Sequence, residues 1–205
     1  YLACRLKSNH HQNFQYLTVH VYDDPAKMMD GNWGAMMDRA KQAYPEMTED
    51  ALMKKINSAS QTRDIAVRIY LQLTEQTEDD FEMPLGTVAR INFIKTVAGQ
   101  NAAYQKFERE TWKPMAQKMI SNGNLSSWGL ARVIIPGGSD VYASHLTFDM
   151  FKDYAQVFKE NTLFSELSEE QQKVFQEGMA MRDLKWSSMG TLIKKIRSAE
   201  TMAGN

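Results

Sequence analysis

One order of signals occurs twice in this chain, and it limits the available folds more than any other feature. Tyr16-Leu17-Thr18-Val19-His20-Val21-Tyr22 lies over His145-Leu146-Thr147-Phe148-Asp149-Met150-Phe151. Ahead of each, Leu2-Ala3-Cys4 lies over Leu130-Ala131-Arg132. Behind each, Met47-Thr48-Glu49-Asp50 lies over Leu167-Ser168-Glu169-Glu170, and the helices that follow run into Arg63-Asp64 and Arg182-Asp183. Matches in one order at a nearly constant offset point to a tandem duplication.

The second copy reads as complete. Residues 87–95 (TVARINFIK) alternate and are β-rich, which predicts a strand. A helical stretch runs over 99–122 with Gly123 as its stop. Residues 128–135 (WGLARVII) predict a second strand, ended by Pro136-Gly137-Gly138, and 145–151 a third. Helix covers about 154–181 with a break near 163–167, and Ser168 with Gln171 has the spacing of a capping box. Residues 184–193 close the series as a strand. The order β-α-β-β-α-β is the ferredoxin-like arrangement.

The first copy begins at its second strand. Strands are expected over 2–7, 15–22 and 65–73, with helices over 25–44 and 48–62. Its opening strand and helix have no counterpart. The chain therefore divides into an incomplete repeat at 1–73, an acidic linker at 74–86 (TEQTEDDFEMPLG) and a full repeat at 87–197. Pro114 falls inside the 99–122 helix; it removes a backbone bond and clashes with the preceding turn, so a bend or break is expected near Trp112.

Charge and composition exclude several roles. Lys and Arg number 24 against 25 Asp and Glu, so neither a basic nucleic-acid binder nor a polybasic membrane binder is favoured. The single cysteine, Cys4, rules out an internal disulfide framework and a Cys-rich metal cluster. No apolar run approaches the roughly 20 residues that cross a bilayer. The chain opens on Tyr1, which reads as a processed protein or a fragment; no export signal is legible. Leu2-Ala3-Cys4 resembles a lipoprotein cleavage site, but a buried strand residue explains Cys4 as simply.

Glu110-Thr111-Trp112-Lys113-Pro114 leading to Gly123, then Trp128-Gly129-Leu130, resembles a family of uncharacterised bacterial proteins built as tandem dimeric α+β-barrel repeats. Ile135-Pro136-Gly137-Gly138-Ser139 and Phe151-Lys152-Asp153-Tyr154 continue the match. The resemblance covers residues 87–193 well and 1–73 weakly. It implies a dimeric α+β-barrel-like architecture and, since such proteins are often exported, a periplasmic or secreted location. It implies no established reaction. The family pattern has His two residues after the Pro; here that position is Ala116, so no role of that His carries over.

Alternation gives each strand an apolar and a mixed face. Ala89, Ile91 and Phe93 oppose Arg90 and Asn92; Leu146, Phe148 and Met150 oppose His145, Thr147 and Asp149; Leu17, Val19 and Val21 oppose Thr18, His20 and Tyr22. The apolar faces are expected under the helices. The mixed faces then line an interior between two facing sheets, where Arg90, Asn92, Arg132, His145, Asp149, His20, Arg68 and Tyr70 are the candidate ligand-binding residues. Charges removed from water need partners, so these groups either pair, Arg90, Arg68 and Arg132 with Asp149, or meet a polar ligand.

Other chemistry has little support. His10-His11 reads as a polar loop, and H-x-x-x-H, C-x-x-C and H-E-x-x-H are absent, so no metal site or cofactor is expected. G-x-S-x-G, P-loop and G-x-G-x-x-G motifs are also absent. Three readings follow. The first is a barrel protein, a possible homo-oligomer, that binds a small organic ligand, neutral or anionic. The second is an enzyme, either a cofactor-free monooxygenase with His145 or His20 as base, or a haem enzyme with one of them as axial ligand. The third is an interaction module completed by a partner's strand along an unpaired edge at residues 2–7.

Overall fold

Most of the alternating segments become strands of one sheet. The structure, a computed structural model, describes residues 1–8, 14–29, 33–61 and 67–196. His10, His11, Arg63 and Asp64 lie outside these residues. The chain forms two compact units, one of Tyr1–Val19 with the chain from Ile69 onward, the other of His20–Arg68. The first unit begins with β1 (Leu2–Ser8) and β2 (Tyr16–Val19).

The second unit is helical, with α1 (Pro25–Met29), α2 (Trp33–Ala43) and α3 (Glu49–Ser60). Thr48 caps α3: its Oγ1 accepts a hydrogen bond from the Ala51 amide at 3.3 Å, satisfying one of the free donors of the first turn. Met37 and Leu52 are buried.

The first unit continues with β3 (Tyr70–Gln76) and β4 (Val88–Thr96). A helical run follows: α4 (Asn101–Phe107), a π-helical turn (Glu108–Trp112) and α5 (Lys113–Ser121). Then come β5 (Ser127–Ile135), β6 (His145–Phe151), α6 (Tyr154–Val157), α7 (Glu169–Ala180) and β7 (Arg182–Lys195). All described strand pairs are antiparallel, in a seven-stranded sheet of order β2-β1-β7-β4-β6-β5-β3.

The expected bend at Pro114 takes a specific form. Proline has no N–H to give to the carbonyl four residues back. The helix takes in an extra residue just before it, and the Lys113 amide bonds to the Glu108 carbonyl, five residues back. Gly123, with φ of 68°, ends the run as expected. The capping box is also present: Ser168 Oγ accepts from the Gln171 amide at 3.3 Å, and Gln171 Oε1 accepts from the Ser168 amide at 3.0 Å.

α4, α5 and α7 cover one side of the sheet. Tyr104, Phe107, Met115, Ala116, Met119 and Phe175 pack there on Val88, Ile94, Trp128, Leu130 and Phe151. Each such large side chain stabilises the fold by roughly 1.5–3 kcal/mol. α7 comes so near the run that a Cβ on Gly178 would sit 2.2 Å from the Phe107 ring, so only glycine fits. The other side carries Ile91, Phe93 and Leu146, with Leu17 of β2, Leu71 of β3, Val133, Phe148 and Trp186 against them. Residues from both edges of the strand order share this cluster, so the sheet is curled around it.

Several expectations need correction. Among the described residues there is one continuous sheet, not two facing ones, because β1 pairs with β7 and β3 with β5. The face assignment is reversed. Val88, Arg90, Asn92 and Ile94 share the helix-covered side, while Ile91 and Phe93 line the curled-in side. The edge expected at residues 2–7 is not free, since β1 is bonded to β2 and to β7. Of the strand expected over 65–73, residues 65 and 66 lie outside the described residues; the described strand begins at Tyr70 and runs to Gln76, into the stretch read as linker, because Leu71, Leu73 and Gln76 find partners on β5. The compact units cut across the expected division at 74–86, because β1, β2 and β3 share the sheet of β4–β7.

Candidate functional site

The antiparallel register decides which side chains meet on the helix-covered side. Trp128 of β5, Asp149 of β6, Arg90 of β4 and Met189 of β7 form one cross-strand row. Leu130, Thr147, Asn92 and Ser187 form the next, and Arg132, His145 and Ile94 the one beyond.

Asp149 is the centre of this surface. It is 4% exposed, and its Oδ2 accepts from Arg90 Nε at 2.8 Å and from Asn92 Nδ2 at 3.0 Å. Asn92 Nδ2 also donates to Thr147 Oγ1 at 3.0 Å, and the Arg90 guanidinium lies 5.3 Å from the centre of the Phe151 ring. The carboxylate therefore has the partners that burial demands. Three of the residues proposed from sequence, Arg90, Asn92 and Asp149, thus form one network.

His145 adjoins it with separate partners. Its Nε2 lies 3.0 Å from Gln105 Nε2 and its Nδ1 3.0 Å from Ser144 Oγ. An amide nitrogen can only donate, so Nε2 accepts and the ring proton sits on Nδ1, toward the serine oxygen. Burial first, and the Arg132 charge second, push the imidazole down to about 4 and keep it neutral. The Tyr104 ring meets it edge-on at 5.2 Å.

Arg132 is exposed and donates to Gln72 Oε1 at 2.7 Å rather than to Asp149. Tyr70 is half-buried at the start of β3, opposite Ile135. His20 and Arg68 are exposed and belong to the other compact unit. The proposed set is therefore not one cluster.

The π-helical turn supplies a residue that the sequence reading missed. Glu108 is 4% exposed, and burial raises its carboxyl to about 7; the Tyr104 hydroxyl and Arg182 act against that rise, and Asp149 with it. The Tyr104 hydroxyl is pushed up, first by burial and then by the Glu108 charge. The two side chains interact with each other as a hydrogen-bonded pair of irregular geometry, and neither Tyr104 Oη nor Glu108 Oε2 has any other partner. Trp128 Nε1, 1% exposed as a residue, is also without one. Native proteins leave few such groups, and each calls for a reason. A signal existed: Glu108 sits in the apolar stripe Tyr104, Phe107, Trp112, Met115, where a charge is out of place.

A group near 7 exchanges its proton at neutral pH, as a general acid or base must. Tyr104 is a donor beside it, and Trp128, in the same packed cluster as Tyr104, is a second donor opposite Asp149. His145 does not fit a haem axial ligand, since both its ring nitrogens are occupied and the residue is 1% exposed. Among the described residues, no group of three or more His, Cys, Asp and Glu side chains is placed to hold a metal ion, and no helix is long and apolar enough to cross a membrane.

No family model matches the chain, and no curated protein does. One similar solved structure is that of a putative monooxygenase from Fusobacterium nucleatum, at 13% identity and a TM-score of 0.43. The match covers 75% of this chain and 65% of that one, so the chain spans a little under two thirds of the other's length.

Proposed function

We propose that this protein binds a small organic ligand between the helix layer and the sheet, against Glu108, Tyr104 and Trp128. One observation carries this reading: three side chains from three elements bring buried polar atoms, none with a partner at regular hydrogen-bonding geometry, to the surroundings of Asp149. Two of the atoms donate and one carboxylate oxygen accepts. The matching ligand is neutral and carries a carbonyl and a hydroxyl, as a hydroxyaryl ketone does. The architecture we infer for it is a pair of related split-βαβ units, the first seen here from its second strand onward. The cross-pairing of β1 with β7 and of β3 with β5 supports that inference.

A binding site and a folding scaffold make opposite demands on Glu108. An unpartnered buried carboxyl costs stability, so Glu108→Gln should raise the urea midpoint of the empty protein. The same change should abolish stabilisation by neutral hydroxyaryl ketones in a thermal-shift panel. If no member of the panel shifts the wild-type transition, or if Glu108→Gln leaves the shift intact, the reading is wrong.

A second reading is an enzyme acting on that ligand, including oxidation without a cofactor. The Glu108 carboxyl near neutrality favours it, because a base of that strength takes a proton from an acidic hydroxyl or C–H at working pH. Consumption of the ligand under oxygen by the wild-type protein, with product detected, distinguishes it from binding alone, which leaves the ligand unchanged.

A further inference from the structure

At the centre of the helix-covered side the charges cancel; at its margin one does not. Arg90 is paired with Asp149, and His145 is neutral. Arg182, the first residue of β7, forms no ion pair with any carboxylate among the described residues. Its Nη2 donates to Met179 Sδ at 3.0 Å, and its Nε is buried with no partner. A thioether is a weak acceptor for a guanidinium, which carries five N–H donors. A half-buried cation held this way lacks the anion that its desolvation calls for.

Register and helix geometry aim this group at the ligand-facing residues. Arg182 pairs with Thr96, the last residue of β4. The chain turns there into α4, and the Thr96 hydroxyl donates to the Asn101 side chain at the start of that helix. Tyr104 and Glu108 stand further along the same helical face, three and then four residues on. α7, which runs directly into Arg182, lies against the same helical run, with Gly178 on the Phe107 ring. The Arg182 charge is felt by both Tyr104 and Glu108, yet its Nε is bonded to neither. Glu108 cannot be the missing anion while it holds its proton, which burial makes it do up to about 7.

We propose that Arg182 binds a carboxylate of the ligand, so that the ligand class is a hydroxyaryl ketone that also carries an acid. This rests on the ligand reading above. The neutral carbonyl and hydroxyl meet Glu108, Tyr104 and Trp128, and the acid, elsewhere on the same molecule, takes the guanidinium. A carboxylate suits its planar fork of donors, which grips two oxygens at once. It replaces the Met179 sulfur as acceptor and gives the stranded Nε a partner. Arg182 is half-buried, so the acid sits at the outer end of the ligand.

The probes are ortho-hydroxyacetophenones with a carboxylate at each open ring position in turn, each beside its methyl ester, added to the full chain at neutral pH. At one position or more, the carboxylate should bind at least about tenfold more tightly than its ester. Arg182→Gln should bring that ratio to about one, and Arg182→Lys should keep part of it. A ratio of two affinities within one protein is not moved by a general loss of packing. If Arg182→Gln does not fold, the wild type still decides. Modification of Arg182 by phenylglyoxal, read by mass spectrometry, should slow at least about fivefold with the carboxylate at saturation and not with the ester. Esters that bind while no carboxylate binds more tightly would overturn the role of Arg182 and leave the ligand reading standing. Failure of every probe to bind would overturn both. A preference that survives in Arg182→Gln would place the acid on another cation and overturn the proposal.

Discussion

The two sides of the sheet are made by the same strands and do opposite work. The helix-covered side is chemically mixed: Asp149, Arg90, Asn92, His145 and Glu108 lie among Trp128, Tyr104 and Phe151. The curled-in side is almost wholly apolar, with Phe93 stacked on Trp186 at 4.6 Å. Oiliness alone would have put the helices over the second. The strands instead curl around their most apolar face, and the helices cover the face whose charges neutralise one another. Burial of a charge is tolerable where its partners are fixed in register, as Arg90 and Asn92 are around Asp149.

The largest test of this contrast removes one aromatic from each side. Trp128→Ala takes out a residue 1% exposed beneath the helices, and should cost about 3–5 kcal/mol. Phe93→Ala, on the curled-in side, should cost less, toward the lower end of that range, since its neighbours Trp186 and Tyr142 are only partly buried. Urea unfolding measures both. An equal or larger loss at Phe93 would mean that the inner side is as tightly sealed as the outer.

The next test is pH, and it isolates the mixed side. Folded, Glu108 keeps its proton up to about 7 against 4.5 as its ordinary value, so the folded state holds more protons in that window and stability falls as pH rises through it. Folded, His145 stays neutral down to about 4 against an ordinary 6.5, so stability falls as pH drops through that window. Each swing is on the order of 3 kcal/mol, and they oppose each other where the windows overlap. The wild-type midpoint should be nearly flat between about pH 4.5 and 6.5. Glu108→Gln should turn that into a rise with pH, and His145→Gln into a fall. Parallel profiles for all three proteins would remove both assignments.

The smallest effect concerns the helix layer itself. Ser168→Ala deletes half of the capping box and should lower stability by about 1 kcal/mol, read from the same urea midpoints. A loss well above that would show that α7 depends on its first turn more than on its packing against Phe107.

Signals set by neighbours in sequence could be read directly. Ser168 with Gln171, Gly123 and the disturbance before Pro114 all reside in contacts spanning five residues or fewer. The alternation also grouped Arg90, Asn92, His145 and Asp149 correctly on one side. It carried no information on which side the helices take, because period two is symmetric about the sheet. β3 was displaced for a similar reason: residues 65–73 are the more β-prone run, yet Leu73 and Gln76 pair with Ala131 and Gly129, some 55 residues away in the chain. Glu108 escaped because a helical stretch rich in Glu and Lys reads as solvated unless its apolar stripe is traced residue by residue.

The π-helical turn makes the helical run unusually sensitive to length. An α-helix advances about 100° per residue, so losing one residue between Glu108 and Trp112 would restore a regular helix and swing α5 through that angle. Met115, Ala116 and Met119 would rotate away from the strands, and Pro114 would then face the clash that the wider turn avoids. A single-codon deletion here would do more harm than most substitutions.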